Sequence, residues 1–305
     1  MSDESHPTSL NIKNSPKKDF ISVIIPVYKD VEGLTETVSS LMKQTIPQSN
    51  YEVIVANDGG DEGVGDFCEK YPIREIRIIP NRGSYYARNR GIEEARGEFL
   101  AFVDADITVP GEWLETGLQG LQTADYIGGP VLINEKKVRT PAHYYELVTG
   151  FKGNVPEADN HFFVTANLFV RRSVFEHVGG FDIRLRSGGD NEFGNRVFNS
   201  NTFTQSFIQE LAVLHPPRGF HKLLKKRVRI TEGKLALNRL YPERYRYEIA
   251  SPGTLIARLS MPPSISGVKK TFKKNNHFRF WLYYLFIWYF KIRVTLKLVP
   301  VLLRK

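Results

Sequence analysis

From Phe20 the chain reads FISVIIPVY, an almost unbroken apolar and β-branched run, which suits a strand covered on both faces of a parallel sheet. The stretch from Asp30 to Gln44 then places Val31, Leu34, Val38, Leu41 and Met42 near helical spacing, with polar residues between them. The same strand-then-helix pattern returns: YEVIVA (51–56), REIRII (74–79) and EFLAFV (98–103) read as buried strands, and helical patterns occupy about residues 62–70 and 84–95. This alternation predicts an α/β domain with a mostly parallel sheet and helices on both faces. Such sheets bind ligands just beyond the carboxyl ends of their strands. The residues at those ends are Pro26-Val27-Tyr28, Asn57-Asp58-Gly59-Gly60 and Asp104-Ala105-Asp106.

The pattern is absent before residue 20 and changes after Leu214. Residues 1–19 are polar, carry two prolines and show no apolar periodicity, which predicts a disordered leader. After His215-Pro216-Pro217, HKLLKKRVRITEGKLALNRL reads as a basic helix and SPGTLIARLSMPPSISG as a Pro/Gly-rich connector. The last segment packs nine aromatics into residues 278–290. Three regions are therefore expected: the leader (1–19), an α/β domain (20–217) and a basic helical C-terminal region (218–305).

Composition narrows the class. The chain has 305 residues, 41% hydrophobic and 25% charged, which excludes disordered, collagenous and disulfide-scaffold proteins. Its single cysteine, Cys68, excludes an intramolecular disulfide framework and a Cys-rich zinc site, and fits a reducing compartment. With no apolar signal core near the start and no uninterrupted apolar stretch of about 18 residues, the expectation is a protein that is neither exported nor spans a membrane. The net charge of +9 is unevenly spread: residues 218–305 carry 21 Lys+Arg against 3 acidic residues, whereas 1–217 carry 21 against 30. An acidic ligand-binding part followed by an anion-seeking tail is implied.

Asp104 and Asp106 follow a buried strand, and hard oxygen ligands of this kind suit Mg²⁺ or Mn²⁺; alone, such a pair is more often a solvated turn. Its neighbours add to it. The segment NRGSYYARNRGIEEARGEFLAFVDAD (81–106) resembles the N-x-G-x-x-x-A-R-N-x-G block and the DxD strand of the inverting family 2 glycosyltransferases, which have the GT-A fold. ISVIIPVY (21–28) is similar to their nucleotide-binding first strand and VIVANDGGDEG (53–63) to their V-D-D-G-S turn. TANLFVRRSVFEHVGGFD (165–182) and SGGDNEFGNR (187–196) are similar to their GGFD and E-D-x-[DE] motifs. The blocks keep the family's order over about residues 20–217.

The resemblance implies a Rossmann-like GT-A domain that transfers a sugar from a nucleotide-diphosphate sugar, most often of UDP, to a hydroxyl of a glycan or lipid-linked acceptor. It implies donor binding by Pro26, Val27, Tyr28, Asp58 at the nucleobase, Arg88, Asp104 and Asn167. Asp106 and His215 would hold the metal, Mn²⁺ or Mg²⁺. Asp190 would be the general base that takes the acceptor hydroxyl's proton. Arg171, with Asn167, falls where family members meet the donor sugar or acceptor. Several of these have a plainer alternative: His215 closing a strand before Pro216, Asp190 capping a helix with Glu192 or Asp182 as base, and Arg171-Arg172 as surface charge. Three positions depart from the family pattern: Asn57 and Gly60 in the V-D-D-G-S turn, and Gly189 where the E-D motif usually has an acid. Gly189 matters most, because a missing partner carboxylate would loosen the acceptor site or alter which hydroxyl is presented, without removing the base.

Residues 280–290 are 11 consecutive apolar or aromatic residues, interrupted afterwards by Lys291, Arg293 and Lys297. About 20 are needed to span a bilayer, so the segment is expected to lie in the interface, with Lys269, Lys270, Lys273, Lys274 and Arg279 facing anionic lipid. Burial against protein is the alternative, and clustering of the aromatics argues against nucleic acid as a partner. The expected placement is peripheral, at the cytoplasmic face of a membrane. A nucleotidyltransferase would need a Gly-rich phosphate loop near the N-terminus, which is lacking. A membrane adaptor that only senses a nucleotide-sugar would explain Gly189 but not the retained carboxylates at 58, 104, 106 and 190.

Overall fold

The structure is a computed structural model that describes residues 8–150, 161–248, 251, 253–254, 264 and 277–303. The chain divides into two units, one of Met1–Leu132 with Phe151–His215, the other of Ile133–Gly150 with Pro216–Lys305. This differs from the single boundary expected at 217/218, because residues 133–150 join the C-terminal region.

In the first unit the apolar runs form β1 (Lys17–Val27), β2 (Tyr51–Asp58), β3 (Ile73–Ile78) and β4 (Gly97–Val103), which pair in parallel in the order β3-β2-β1-β4. Three short strands extend the sheet. β7 (Asn167–Arg171) runs antiparallel to β4 and to β5 (Tyr126–Gly128), and β8 (Gln205–Phe207) pairs in parallel with β5. A separate ribbon joins β6 (Val131–Ile133) to β9 (Val213–His215).

Alternate residues of the central strands explain the two covered faces. Ile21, Val23 and Ile25 of β1 and Phe99, Ala101 and Val103 of β4 pack with α1 (Val31–Leu41), α2 (Glu62–Cys68) and α4 (Trp113–Gly120). On the other face, Phe102 meets an aromatic cluster of Phe175 in α6 (Arg172–Val178), Phe181, and Phe193 in α7 (Gly189–Asn199). That face also carries α3 (Ser84–Glu94), whose Ala87 packs with Ala56 of β2.

The disordered leader expected over 1–19 is corrected by the structure for residues 8–19. β1 begins at Lys17, Lys13 N–H donates to Glu93 O at 3.1 Å, and Thr8 O accepts from Gly180 N–H at 2.8 Å. Backbone pairing with the end of α3 holds this segment where hydrophobic pattern gives no sign of it. Residues 1–7 lie outside the described residues.

The second unit is built from α5 (Pro141–Thr149), α8 (Phe220–Leu240) and α9 (His277–Leu303). Glu146 of α5 is buried and accepts from Arg218 Nη1 at 2.7 Å and Lys226 Nζ at 3.1 Å. Burial by itself would raise the Glu146 carboxyl, but Arg218 and Lys226 hold it below the usual carboxylate range. Burial and the adjacent Arg218 push the Lys226 ammonium down to about 8. This ion cluster explains why residues 133–150 belong with the basic region. Phe290 of α9 packs with Ala142, Leu223 and Leu224, and Phe280, Tyr283 and Tyr284 pack with Tyr144 and Tyr145. Trp281, Leu282, Leu285, Tyr289, Leu296 and Leu303 remain exposed. Among the described residues no helix is long and apolar enough to cross a membrane. Most of the connector, the four lysines at 269–274 and the Arg279 side chain fall outside the described residues.

Candidate active site

The carboxyl ends of β1, β2 and β4 converge with the start of α3, as expected of a sheet whose strand order reverses there. Pro26 is partly exposed, Val27 is buried and Tyr28 is 54% exposed. The β2 end is heavily cross-linked. Asn57 is fully buried: its Nδ2 donates to Glu75 Oε1 at 2.6 Å and Asp61 O at 2.8 Å, and its Oδ1 accepts from Asp61 N–H at 3.0 Å. An amide is required here, since an aspartate would donate nothing and would face Glu75. Gly60, at φ +63°, would bring a Cβ to 2.6 Å from Ile79, so a serine does not fit this turn. Both departures from the family turn thus have local causes.

Asp58 also has a task that the sequence did not show. Its carboxylate accepts from Asn81 Nδ2 at 2.7 Å, Arg82 N–H at 2.7 Å and Gly83 N–H at 2.8 Å. It ties the β3–α3 turn to the end of β2, and any nucleobase contact would have to use the acceptor capacity left over.

Arg88 of α3 is buried and donates to Asp104 Oδ1 at 2.6 Å, so two residues expected at the donor are paired with each other. Its Nε is buried without a partner among the described residues, leaving a donor available to an anion. Beyond Asp104, Ile107 N–H bonds Asp104 O at 3.2 Å to close a turn, and Thr108 exchanges backbone bonds with Leu214 at 2.8 and 3.0 Å. That bridge carries buried His215 to Asp106, with Nε2 3.5 Å from Oδ2. A carboxylate oxygen and an imidazole nitrogen at this separation can bind one divalent ion side by side, and this donor set suits Mn²⁺. No group of three or more His, Cys, Asp or Glu able to hold a metal occurs among the described residues, so further ligands would come from a diphosphate and water.

The three candidate bases are sharply different. Asp182 is buried and bound by Arg184 through Nε at 3.0 Å and Nη2 at 2.7 Å. Glu192 is buried and held by Arg196 at 2.9 and 2.8 Å. Both carboxylates are committed to guanidinium groups, which suppress basicity. Asp190 has no such partner. Its Oδ1 accepts from Asn191 N–H at 3.0 Å and from the Tyr85 hydroxyl at 3.3 Å, whereas Oδ2 accepts nothing among the described residues. Desolvation raises its carboxyl above the ordinary aspartate value, against the lowering effect of these bonds and of nearby Arg88.

Two expectations are corrected. Asn167 is fully buried, with Oδ1 accepting from Trp113 Nε1 at 2.9 Å and Nδ2 donating to Pro130 O and Leu211 O. Every polar atom is spent inside the fold, so this side chain has nothing left for a donor. Arg171 and Arg172 are not free surface charge either. Arg171 pairs with Glu98 and Asp125, and buried Arg172 bonds Glu176 at 3.0 Å and Ala95 O at 3.1 Å. Tyr85 is the residue that motif reasoning passed over. Its only sequence signal is its place one helical turn before Arg88.

Residues 22–179 match the family model described as glycosyl transferase family 2. The chain is 35% identical to glycosyltransferase AglE of Haloferax volcanii over 71% of its length and 73% of that protein. It is 28% identical to glycosyltransferase GlyG of Streptococcus pneumoniae, over 61% of this chain and 56% of that one. Among solved structures, mannosyltransferase PcManGT of Pyrobaculum calidifontis, in complex with GDP-Man and Mn²⁺, superposes with a TM-score of 0.59 at 16% identity, covering 94% of this chain and 89% of that one. TarS 1–349 of S. aureus, in complex with UDP-GlcNAc, superposes with a TM-score of 0.53 at 18% identity, covering 90% and 82%. The chain belongs to glycosyl transferase family 2. It is a glycosyltransferase of GT-A fold.

Proposed function

We propose a metal-dependent inverting transfer of one sugar from a UDP-sugar to a hydroxyl of a glycan or lipid-linked acceptor. The observation that supports it most is Asp190, the one candidate base without an arginine on its carboxylate and with its pKa raised by desolvation. Asp190 takes the proton of the acceptor hydroxyl as that oxygen attacks the anomeric carbon, while the bond from that carbon to the diphosphate breaks on the opposite side. Asp104, oriented by Arg88, faces the donor, and the orphan Nε of Arg88 suits its diphosphate. Tyr28, Pro26 and Val27 border the nucleoside. Asp106 and His215 would hold Mn²⁺ or Mg²⁺, which supplies positive charge to stabilise the departing diphosphate.

The second unit's part in this reading is to hold the enzyme at the cytoplasmic face of an anionic membrane, within reach of a lipid-linked acceptor. On α9, exposed Trp281, Leu285, Tyr289, Leu296 and Leu303 recur at intervals of four or seven residues, so they share one helical face, in a region with an excess of basic residues.

The test is thermal stabilisation by UDP, GDP, dTDP and CMP, each with and without Mn²⁺, because a ligand of the folded state raises Tm by mass action. A Mn²⁺-dependent rise with UDP is expected. Asp190→Asn should keep that rise and lose sugar transfer by about a thousandfold or more. Absence of a rise with every nucleotide overturns the donor site; transfer surviving in Asp190→Asn overturns the base.

A further inference from the structure

Gly189, the most serious departure from the family pattern, has a partner in space. A Cβ at this position would lie 2.7 Å from Cε2 and 2.8 Å from Cζ of the Tyr85 ring. The space a side chain at 189 would enter is thus already filled, from α3 rather than α7. The Tyr85 hydroxyl donates to Asp190 Oδ1 and accepts from Asp190 N–H, both at 3.3 Å. The ring is buried and stacked on Phe181, with centroids 5.7 Å apart, inside the aromatic cluster against β4. We infer that Tyr85 is a positioning residue for Asp190, its ring replacing the side chain absent at 189 and its hydroxyl orienting the carboxylate. This rests on the reading of Asp190 as the base.

A phenol does this differently from an acid. An acid at 189 would place a second negative charge beside Asp190, whereas a neutral hydroxyl donates to the ionised carboxylate and stabilises it. Burial and Asp190 itself raise the Tyr85 hydroxyl well above its ordinary value, so it stays protonated and remains a donor throughout the working range. Among the described residues, the other titratable groups that face Asp190 are Arg88 of α3, which favours its charge, and Tyr126 of β5, whose hydroxyl is likewise raised by burial. Neither touches Oδ1. Among the described residues, the bonds that other residues make to that oxygen come from the Tyr85 hydroxyl and Asn191 N–H, so Tyr85, the one side chain of the two, sets which way Oδ2 points.

Tyr85→Phe keeps the ring and the packing and removes only the hydroxyl. Nucleoside diphosphate release is measured with UDP-glucose, UDP-GlcNAc and GDP-mannose. On whichever is turned over fastest, kcat should fall about tenfold with KM unchanged. The acid limb of the kcat profile should move to higher pH, because the ionised carboxylate has lost a donor. A ¹³C titration of aspartate-labelled protein reads the same group without turnover, the Asp190 resonance being the one missing from Asp190→Asn. It should move to higher pH in Tyr85→Phe. An unchanged titration, or an unchanged kcat and acid limb, overturns the inference. Gly189→Ala should lower kcat at least tenfold in the parent protein and much less in a Tyr85→Ala background, and equal effects in both would also overturn it. If Asp190→Asn remains active, the base reading falls instead.

Discussion

Asn57→Asp changes one atom type and should unfold much of the protein's stability margin at neutral pH. In the native turn the Asn57 amide donates 2.6 Å to Glu75 Oε1. A carboxylate there would put two negative charges about 3 Å apart, a repulsion of order 5 kcal/mol at an effective dielectric of about 20. The pair escapes by retaining a proton, which restores a donor toward Glu75 and limits the cost. Keeping a proton at pH 7 on a group whose unfolded pKa is about 3.9 costs about 4 kcal/mol, which is the expected deficit. The shared carboxyl has a folded pKa above its unfolded one. Its stabilising contribution is therefore complete below about pH 4 and lost as pH rises, so the deficit should grow by about 1.4 kcal/mol per unit between pH 5 and pH 7. Urea denaturation of the parent and Asn57→Asp proteins at pH 5, 6 and 7 gives the slope. A companion Glu75→Gln substitution should remove most of it. A deficit under about 0.5 kcal/mol at pH 7, or one that does not change with pH, would refute the account of why this turn carries asparagine.

Asp106→Ala and His215→Ala should each abolish the Mn²⁺-dependent part of the nucleotide-induced Tm rise while leaving any metal-independent part; a full rise in either removes that residue from the metal site. Asn167→Ala strands the Trp113 indole N–H and two carbonyls, a cost of about 2–4 kcal/mol, or about 6–12 °C in Tm. Once folded it should bind nucleotide as before, and selective loss of nucleotide binding would return Asn167 to the donor site. The kcat profile should lose activity as pH falls through a pKa above the ordinary aspartate value, since Asp190 must be ionised to accept a proton; a limb at the ordinary value contradicts its desolvation. Flotation with vesicles of phosphatidylcholine and phosphatidylserine at 3:1 should carry the protein up, and a Trp281→Ser/Leu285→Ser/Tyr289→Ser variant should stay behind. Equal flotation of both excludes α9 as the contact.

Selection among carboxylates is the main consequence of the fold for chemistry. Asp182, Asp190 and Glu192 lie within eleven residues of one another, and by type and spacing any of them could serve as base. Arg184 and Arg196 remove two of them from contention. Arg184 follows Asp182 by two positions and Arg196 follows Glu192 by four, spacings compatible with contact. Nothing in those spacings shows that Asp190 has no arginine bonded to its carboxylate among the described residues.

The residue pattern specifies the α/β architecture, because continuous apolar β-branched runs alternating with helical periodicity have few other ways to bury both sheet faces. It also determined the family, through motifs in fixed order at strand ends, where local backbone geometry and ligand chemistry coincide. Short strands β5, β6 and β8, the packing of residues 8–19 and the union of residues 133–150 with the basic region depended on backbone pairing and buried ion pairs between distant segments, which leave no periodic trace. For the same reason the folded contacts were needed to show that Asn167 is spent on Trp113 and that Asp58 holds the 81–83 turn. It also showed that Gly189 is occupied from α3 by Tyr85, a pairing across 104 positions of chain that no local pattern encodes.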